Sequence, residues 1–298
     1  MNKPLISVVI GTYNQSDILK LILESFNTQS LEKDKYEVIV VDSRSTDSTE
    51  EMMKNFKAVF NFRYFIQDNT GKTGARNRGV DESSSDLIFI TDADMIAHKN
   101  LLKEHVQAHN STSIETCFEG QTFNLDRLEW PAREDILSPY IQRNYTDKAK
   151  LGWYYFLTGN ISFPKALYLR EGGLSKDFLG YGWEDLELGY RLSKKKVPLF
   201  FLKNAMNYHY HVITKDEEIE RNVKKGESAK IFLKKHPELK YFLGLNPISK
   251  FIFPKIKENG PFYNFVKNKC YKSSSSTLQK FGFWFLKEFH YLRGILSL

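Results

Sequence analysis

Three groups of residues have the types and spacing to do chemistry. Asp92-Ala93-Asp94 follows the apolar run Leu87–Thr91. Alternate carboxylates at a strand end can converge on one hard cation, which in turn holds a diphosphate. The plainer alternative is that the pair caps a helix following Met95. The second group is Tyr181-Gly182-Trp183-Glu184-Asp185-Leu186-Glu187, with Gly180 just before it. Two acids opening a helix are favourable on electrostatic grounds alone, but that does not require two glycines and a tryptophan beside them. A mobile glycine loop carrying Trp183 next to a carboxylate suits an acceptor site with a general base. The third group is His209 and His211, which face one side if they lie on a strand. A lone histidine there is more often a core group. Placed after both acidic motifs, either could be a third metal ligand, with His209 favoured.

Alternating strands and helices must position these residues. Leu5–Ile10 reads as a buried strand stopped at Gly11, and Ser16 or Asp17 can cap a helix carrying Ile18, Leu21, Ile22 and Phe26 at helical spacing. Tyr36–Val41 is a second strand ending at Asp42, and the turn Ser45–Thr49 leads into another helix. Phe62–Gln67 is a third strand, Arg76–Val80 opens a helix, and Leu87–Thr91 is a fourth strand ending at Asp92. This order predicts an α/β domain with a doubly wound sheet and helices on both faces. Ligands bind at the carboxyl ends of such strands, which is where Asp42 and Asp92 lie. Residues from Cys117 to Tyr155 read as less regular. Tyr208–Val212 is a late strand, Asp216–His236 a charged helix and Ser273–Ser276 a linker. Leu278, Phe281, Phe285, Phe289, Leu292 and Leu296 form the apolar stripe of a last helix. No internal repeat is present.

The chain has 298 residues, 41% hydrophobic and 27% charged, enough to bury a large core and too apolar to be disordered throughout. No uncharged apolar run reaches the roughly 18 residues of a membrane span, and the N-terminus lacks the pattern of a secretory signal. Two distant cysteines fit a reducing, cytoplasmic setting. The net charge of +7 is uneven: from Thr214 onward there are 17 Lys/Arg and 8 Asp/Glu, leaving the rest at −2. A nucleic-acid enzyme would line its cleft with the basic residues; here they lie in the tail, interleaved with aromatics. That mixture suits an anionic membrane surface or a partner protein, or else a solvated helical cap. Gly71-Lys72-Thr73 lacks the glycine a phosphate loop needs five residues earlier, where Ile66 stands.

The ordered set Ser7–Asn14, Val38–Thr49, Gly74–Gly79 and Asp92-Ala93-Asp94 resembles the signature of family 2 glycosyltransferases with the GT-A fold. The block Gly182–Leu192 is similar to the C-terminal motif of galactosyltransferases and bacterial chondroitin-type polymerases. The resemblance spans about residues 5 to 212. It implies a glycosyltransferase domain over 1–212; the tail is not covered by it, and its periodicity makes 213–298 a helical extension. It also implies inverting transfer of a hexose or N-acetylhexosamine from a UDP-sugar, with Mn²⁺ or Mg²⁺, to a hydroxyl of a glycan, in bacterial surface polysaccharide synthesis. By the same resemblance Thr12, Tyr13 and Asn14 line the nucleotide pocket, Asp42 accepts a hydrogen bond from uracil, and Arg76 lies near the donor phosphates. Asp92 touches the ribose or a metal-bound water, Ala93 lines the donor pocket and Asp94 binds the metal. Gly159 and Asn160 line the sugar pocket with Trp183, Glu184 holds the acceptor hydroxyl, and Asp185 is the base. Ser43 and Arg44 replace an acid and a glycine of the family pattern, so Arg44 could reach a phosphate or a different base. A peptide or protein acceptor is the alternative. A nucleotidyltransferase would show a glycine-rich basic loop after the first strand, and a carbohydrate-binding module has no need of two acidic pairs.

Overall fold

The computed structural model describes residues 3–128, 137–139, 145–211 and 213–297. Met1, Val212 and Leu298, at the limits of the expected domains and of the late strand, lie outside them. Two compact units are present: Met1–Lys176 with Asp185–Val212, and Asp177–Glu184 with Ile213–Leu298.

The first unit is built on β1 (Ile6–Thr12), α1 (Ser16–Asn27), β2 (Tyr36–Asp42), α2 (Thr49–Asn55), β3 (Asn61–Ile66), α3 (Gly71–Glu82) and β4 (Leu87–Asp92). It continues through β5 (Met95–Ala97), α4 (Leu101–Asn110), β6 (Cys117–Leu125), β7 (Leu137–Pro139), β8 (Lys150–Leu151), β9 (Ile161–Pro164), α5 (Lys165–Arg170), α6 (Glu184–Lys194) and β10 (Leu199–His209). The sheet order is β3-β2-β1-β4-β9-β6-β10-β5, with β7 on β6 and β8 on β10. The first four strands are parallel, and β9 runs antiparallel between β4 and β6. β1 and β2 are buried on both faces and therefore read as nearly continuous β-branched runs. Val8 and Ile10 pack into one apolar layer with α1 and α4, while Val9 packs into the other with α5 and α6, as the two-residue period of a strand requires.

Several boundaries differ from the sequence reading for physical reasons. The first helix takes no side-chain cap from its own end; Asp47 Oδ2, in the turn before α2, accepts from Ser16 N–H at 3.1 Å. Met95 opens a strand, not a helix, which removes the capping explanation for Asp92 and Asp94. Cys117–Leu125, expected to be irregular, is a nine-residue strand. β10 begins nine residues before Tyr208, and its pairing with β6 slips between Leu202 and Met206. Such a bulge breaks the alternation on which strand recognition rests.

The second unit holds α7 (Lys215–Lys235), α8 (Pro247–Ile252), α9 (Pro261–Phe265) and α10 (Ser276–Leu296), with one π-helical turn over Val266–Tyr271. α7 starts at a capping box, in which Thr214 and Glu217 satisfy each other's backbone N–H groups. α7 and α10 cross at Gly226 and Gly294, where a Cβ would come within 2.1 Å of Tyr291 O and 2.2 Å of Val223 O respectively; only glycine permits this approach. Of the expected stripe on α10, Phe285, Phe289 and Leu292 are buried, but Leu278, Phe281 and Leu296 are exposed.

Candidate active site

Strand register brings the first-unit residues together. Thr12 is opposite Asp42 and Gly11 opposite Asp92, so the ends of β1, β2 and β4 form one edge. β1 lies between β2 and β4, where the order of strands reverses and a crevice opens. On the other side of Asp94, β5 pairs antiparallel with β10, placing His209 opposite Met95. Tyr210 N–H then donates to Asp94 O at 3.0 Å and carries the ladder one step further.

The result is a cluster of three ligand-type side chains. His209 Nε2 and His211 Nδ1 each lie 3.5 Å from Asp94 Oδ2, and the rings stack with centroids 5.6 Å apart. One donor atom from each residue falls within 4.8 Å of the others. Asp94 Oδ1 is buried and accepts no hydrogen bond among the described residues. One carboxylate with an unspent oxygen and two imidazoles suit a divalent cation, so the residues fit the metal that the sequence reading expected. Both histidines converge, not one alone. His209 lies at the end of β10 and His211 just past it. Asn124 Oδ1 accepts from His209 Nδ1 at 3.2 Å, which fixes the tautomer and turns the Nε2 lone pair toward Asp94. Asn124 lies on β6, inside the stretch read as irregular, and no sequence signal marked it.

Asp92 is engaged differently. Arg76, buried on α3, donates to Asp92 Oδ1. Burial alone would raise the Asp92 carboxyl, but the Arg76 guanidinium, aided by Lys72, overrides it and holds the group well below the usual carboxylate range. Ala93 is buried between the two acids.

Around the nucleotide end, Tyr13 exposes 47% of its surface, and Thr12 Oγ1 is buried with no hydrogen-bond partner among the described residues. Asn14 adopts φ 52° and ties two turns together, accepting from Thr46 N–H at 2.7 Å and donating its own N–H to Ser45 Oγ at 2.8 Å. Asp42 was expected to face a base, but it is enclosed. Its Oδ1 accepts from Ser45 N–H at 2.9 Å and Ser45 Oγ–H at 2.6 Å, and its Oδ2 accepts from Tyr64 O–H at 2.7 Å. It shapes the wall on which Thr12 and Tyr13 stand. Arg44 reaches Asp68 at the surface, at 2.6 Å.

Gly159 and Asn160 also separate in role. Asn160 was expected to line the sugar pocket, but its side chain is 0% exposed. Its Nδ2 donates to Ala205 O at 2.9 Å, so Oδ1 accepts from His105 Nε2–H at 3.0 Å. His105 Nδ1 then accepts from Ser162 O–H at 2.8 Å, and His109 Nε2–H donates to Ser162 Oγ at 2.9 Å. Each proton in this chain is assigned by the one before it. Gly159 O accepts from Thr91 O–H and Asn207 Nδ2–H. The network thus pins the 159–160 segment from behind. Burial lowers His105 to about 4 and His109 to about 3. Both native values lie below the unfolded one, so the unfolded chain takes up protons that the native state refuses. Stability is full above about pH 7 and declines as pH falls through 6.5, by about 2 kcal/mol at pH 5 for His105 and less for the partly exposed His109. Urea midpoints at the two pH values check this; equal midpoints would remove the buried-neutral assignment.

Asp185 stands in the first turn of α6 and its Oδ1 accepts from Leu186 N–H at 2.8 Å. Glu184 and Trp183 belong to the second unit, and Glu184 is buried there. Trp183, expected on a mobile loop, is anchored: it adopts φ 75°, its Nε1–H donates to Lys225 O at 3.0 Å, and its ring packs on Phe232, Phe242 and Tyr291. A tryptophan in the left-handed region is strained, and these contacts hold it.

Known proteins share the fold that carries these residues. The fold is similar to that of TarS from Staphylococcus aureus in complex with UDP-GlcNAc, with a TM-score of 0.59 and 14% identity over 98% of this chain and 90% of that one. It is also similar to the mannosyltransferase PcManGT from Pyrobaculum calidifontis in complex with GDP-Man and Mn²⁺, with a TM-score of 0.63 and 14% identity over 100% and 88%. At that identity the likeness shows the GT-A fold alone. In sequence the chain is 27% identical to validoxylamine A glucosyltransferase of Streptomyces hygroscopicus over 79% of its length and 25% identical to chondroitin synthase of Escherichia coli over 78%. It spans 62% of the first and 38% of the second. Residues 142–215 match the N-terminal domain of galactosyltransferase. Residues 7–172, more than half of the chain, match glycosyl transferase family 2, and the chain belongs to that family.

Proposed function

We propose that the chain is an inverting, metal-dependent glycosyltransferase. It moves a hexose or N-acetylhexosamine from a UDP-sugar to a hydroxyl of a glycan acceptor, in the synthesis of bacterial surface polysaccharide. The observation that carries this reading is the convergence of Asp94, His209 and His211 beside the β1–β4 crevice. Fold neighbours in complex with UDP-GlcNAc and GDP-Man support a nucleotide-sugar donor. Asp94, His209 and His211 would hold Mn²⁺ or Mg²⁺. When bound, the cation neutralises the charge that develops on the departing nucleoside diphosphate.

The remaining work falls to the chain's own groups. Tyr13 offers a ring face to the base, and Thr12 Oγ1 a hydroxyl to the nucleotide. Arg76 keeps Asp92 ionised at the donor side. Glu184 and Trp183 hold the acceptor, and Asp185 takes the proton of its hydroxyl during attack. Inversion needs only that one base, placed opposite the leaving group.

Incubation with a panel of UDP- and GDP-sugars and Mn²⁺ tests the reading. UDP release from a UDP-sugar, lost on chelation, is expected. Pyrophosphate release from a nucleoside triphosphate would point to a nucleotidyltransferase, and glycan binding without turnover of any donor to a binding module. Asn124 gives a second check. Asn124→Ala removes the acceptor that orients His209, so Mn²⁺ affinity by calorimetry should fall about tenfold to a hundredfold. Asn124→Asp keeps an acceptor and should retain most of it; equal losses in both variants would count against the orienting role.

A further inference from the structure

We infer that the second unit carries a docking surface for an anionic phospholipid bilayer, formed by the outer sides of α8, α9 and α10. Phe251, Phe262, Phe265, Phe281 and Trp284 are all exposed, Phe251 at 67% and Trp284 at 54%. Phe262, Phe281 and Trp284 are linked around one ring. Phe262 meets buried Phe285 edge-on at 5.4 Å, Phe281 lies 6.4 Å from the same ring, and Trp284 lies 6.0 Å from Phe281. Phe253, two residues after Phe251, stacks on Phe285 at 6.0 Å. Exposed apolar residues scattered singly need no explanation, but a contiguous aromatic patch marks an interaction site.

Charge selects the occupant. Between positions 239 and 286 the chain carries eight lysines against one acid, Glu258. That acid is paired with Arg293. The positive charge is therefore uncompensated by the unit's own acids in this stretch. Protein interfaces deplete lysine from their centres. A bilayer surface instead accepts aromatics at headgroup depth while lysine stems lie along the apolar surface with their ammonium groups in water. Lys255 Nζ lies over the exposed Phe251 ring, so a cation sits against an aromatic of this surface. Among the described residues no helix is long and apolar enough to cross a membrane, so the contact is interfacial. The surface is independent of the transferase reading and stands or falls separately from it.

Vesicle sedimentation of the full chain tests the inference, with phosphatidylcholine alone and with about one-third phosphatidylglycerol. Binding to the anionic vesicles only, weakened by salt, is expected. Replacing Lys255, Lys257 and Lys280 with alanine should cost roughly fivefold per lysine. The triple variant F251S/F281S/W284S should lose binding at least tenfold, with far-UV circular dichroism and UDP release in solution unchanged. Brominated lipid should quench wild-type fluorescence more than that of Trp284→Phe. Equal partitioning of the variants and wild type, or equal binding to neutral vesicles, would overturn the inference. So would a wild-type dimer that the aromatic substitutions convert to monomer without any vesicle binding, because the patch would then be a protein interface.

Discussion

Asp94→Ala should abolish cation-dependent UDP binding while leaving the fold intact. The carboxylate is the shared partner of both histidines, at 3.5 Å from each, and its second oxygen is buried without a hydrogen bond among the described residues. It therefore contributes little to holding the chain together and much to holding a cation. Loss of a metal-supporting group one step further out already costs tenfold to a hundredfold, so loss of a charged ligand should exceed about a hundredfold. Asp92→Ala provides the contrast. Its carboxylate accepts from buried Arg76, and losing a hydrogen bond between charged groups costs about 1.5–3 kcal/mol. The two variants should separate: Asp94→Ala loses UDP affinity in Mn²⁺ with its melting temperature preserved, and Asp92→Ala melts several degrees lower. Calorimetric titration of UDP with and without Mn²⁺, beside thermal unfolding, reads both. An Asp94→Ala variant with undiminished Mn²⁺-dependent affinity would reject the ligand role.

The divide between legible and illegible parts of this chain follows from burial. Strands β1, β2 and β4 are covered on both faces, so they appear as apolar runs, and an aspartate closing the run marks the carboxyl ends of β2 and β4. That is why Asp42, Asp92 and Asp94 could be placed near one crevice. β6 is also buried, but it carries Glu119, Gln121 and Thr122 inside the protein. Buried polar groups that are satisfied by distant partners have no local signature, so both β6 and the orienting Asn124 escaped. The same reason hid the enclosure of Asp42, whose partners Ser45 and Tyr64 come from a turn and another strand. α3 begins at Gly71, five residues before Arg76, and Gly71 enters it at φ 74°, a left-handed conformation open to glycine. On α10 the periodicity identified the helix correctly but could not say that part of its apolar face stays uncovered. Period gives orientation, while exposure depends on what packs against it.

Asp185→Asn should eliminate transfer while donor binding survives. The amide is nearly isosteric with the carboxylate, and its oxygen can still accept from Leu186 N–H, the bond that Asp185 Oδ1 makes at 2.8 Å. The helix behind it is held independently. Arg191 Nε donates to Glu187 Oε1 at 2.9 Å, and Arg191 Nη2 donates to Gly173 O at 2.5 Å, locking α6 to the preceding loop. The substitution removes the capacity to accept a proton from an attacking hydroxyl. A general base contributes about 10²- to 10⁴-fold, so turnover of acceptor should fall by that range with the donor dissociation constant unchanged. Glu184→Gln separates the neighbouring role: a group that holds the acceptor raises its KM before it lowers kcat. If Asp185→Asn instead weakened donor binding, the carboxylate would belong to the nucleotide side, and the base would have to be sought among other acids. If it retained transfer, the acceptor would be activated without a protein carboxylate at this position, and the assignment of the acidic pair on α6 would fail even though the metal cluster on β4 and β10 stood.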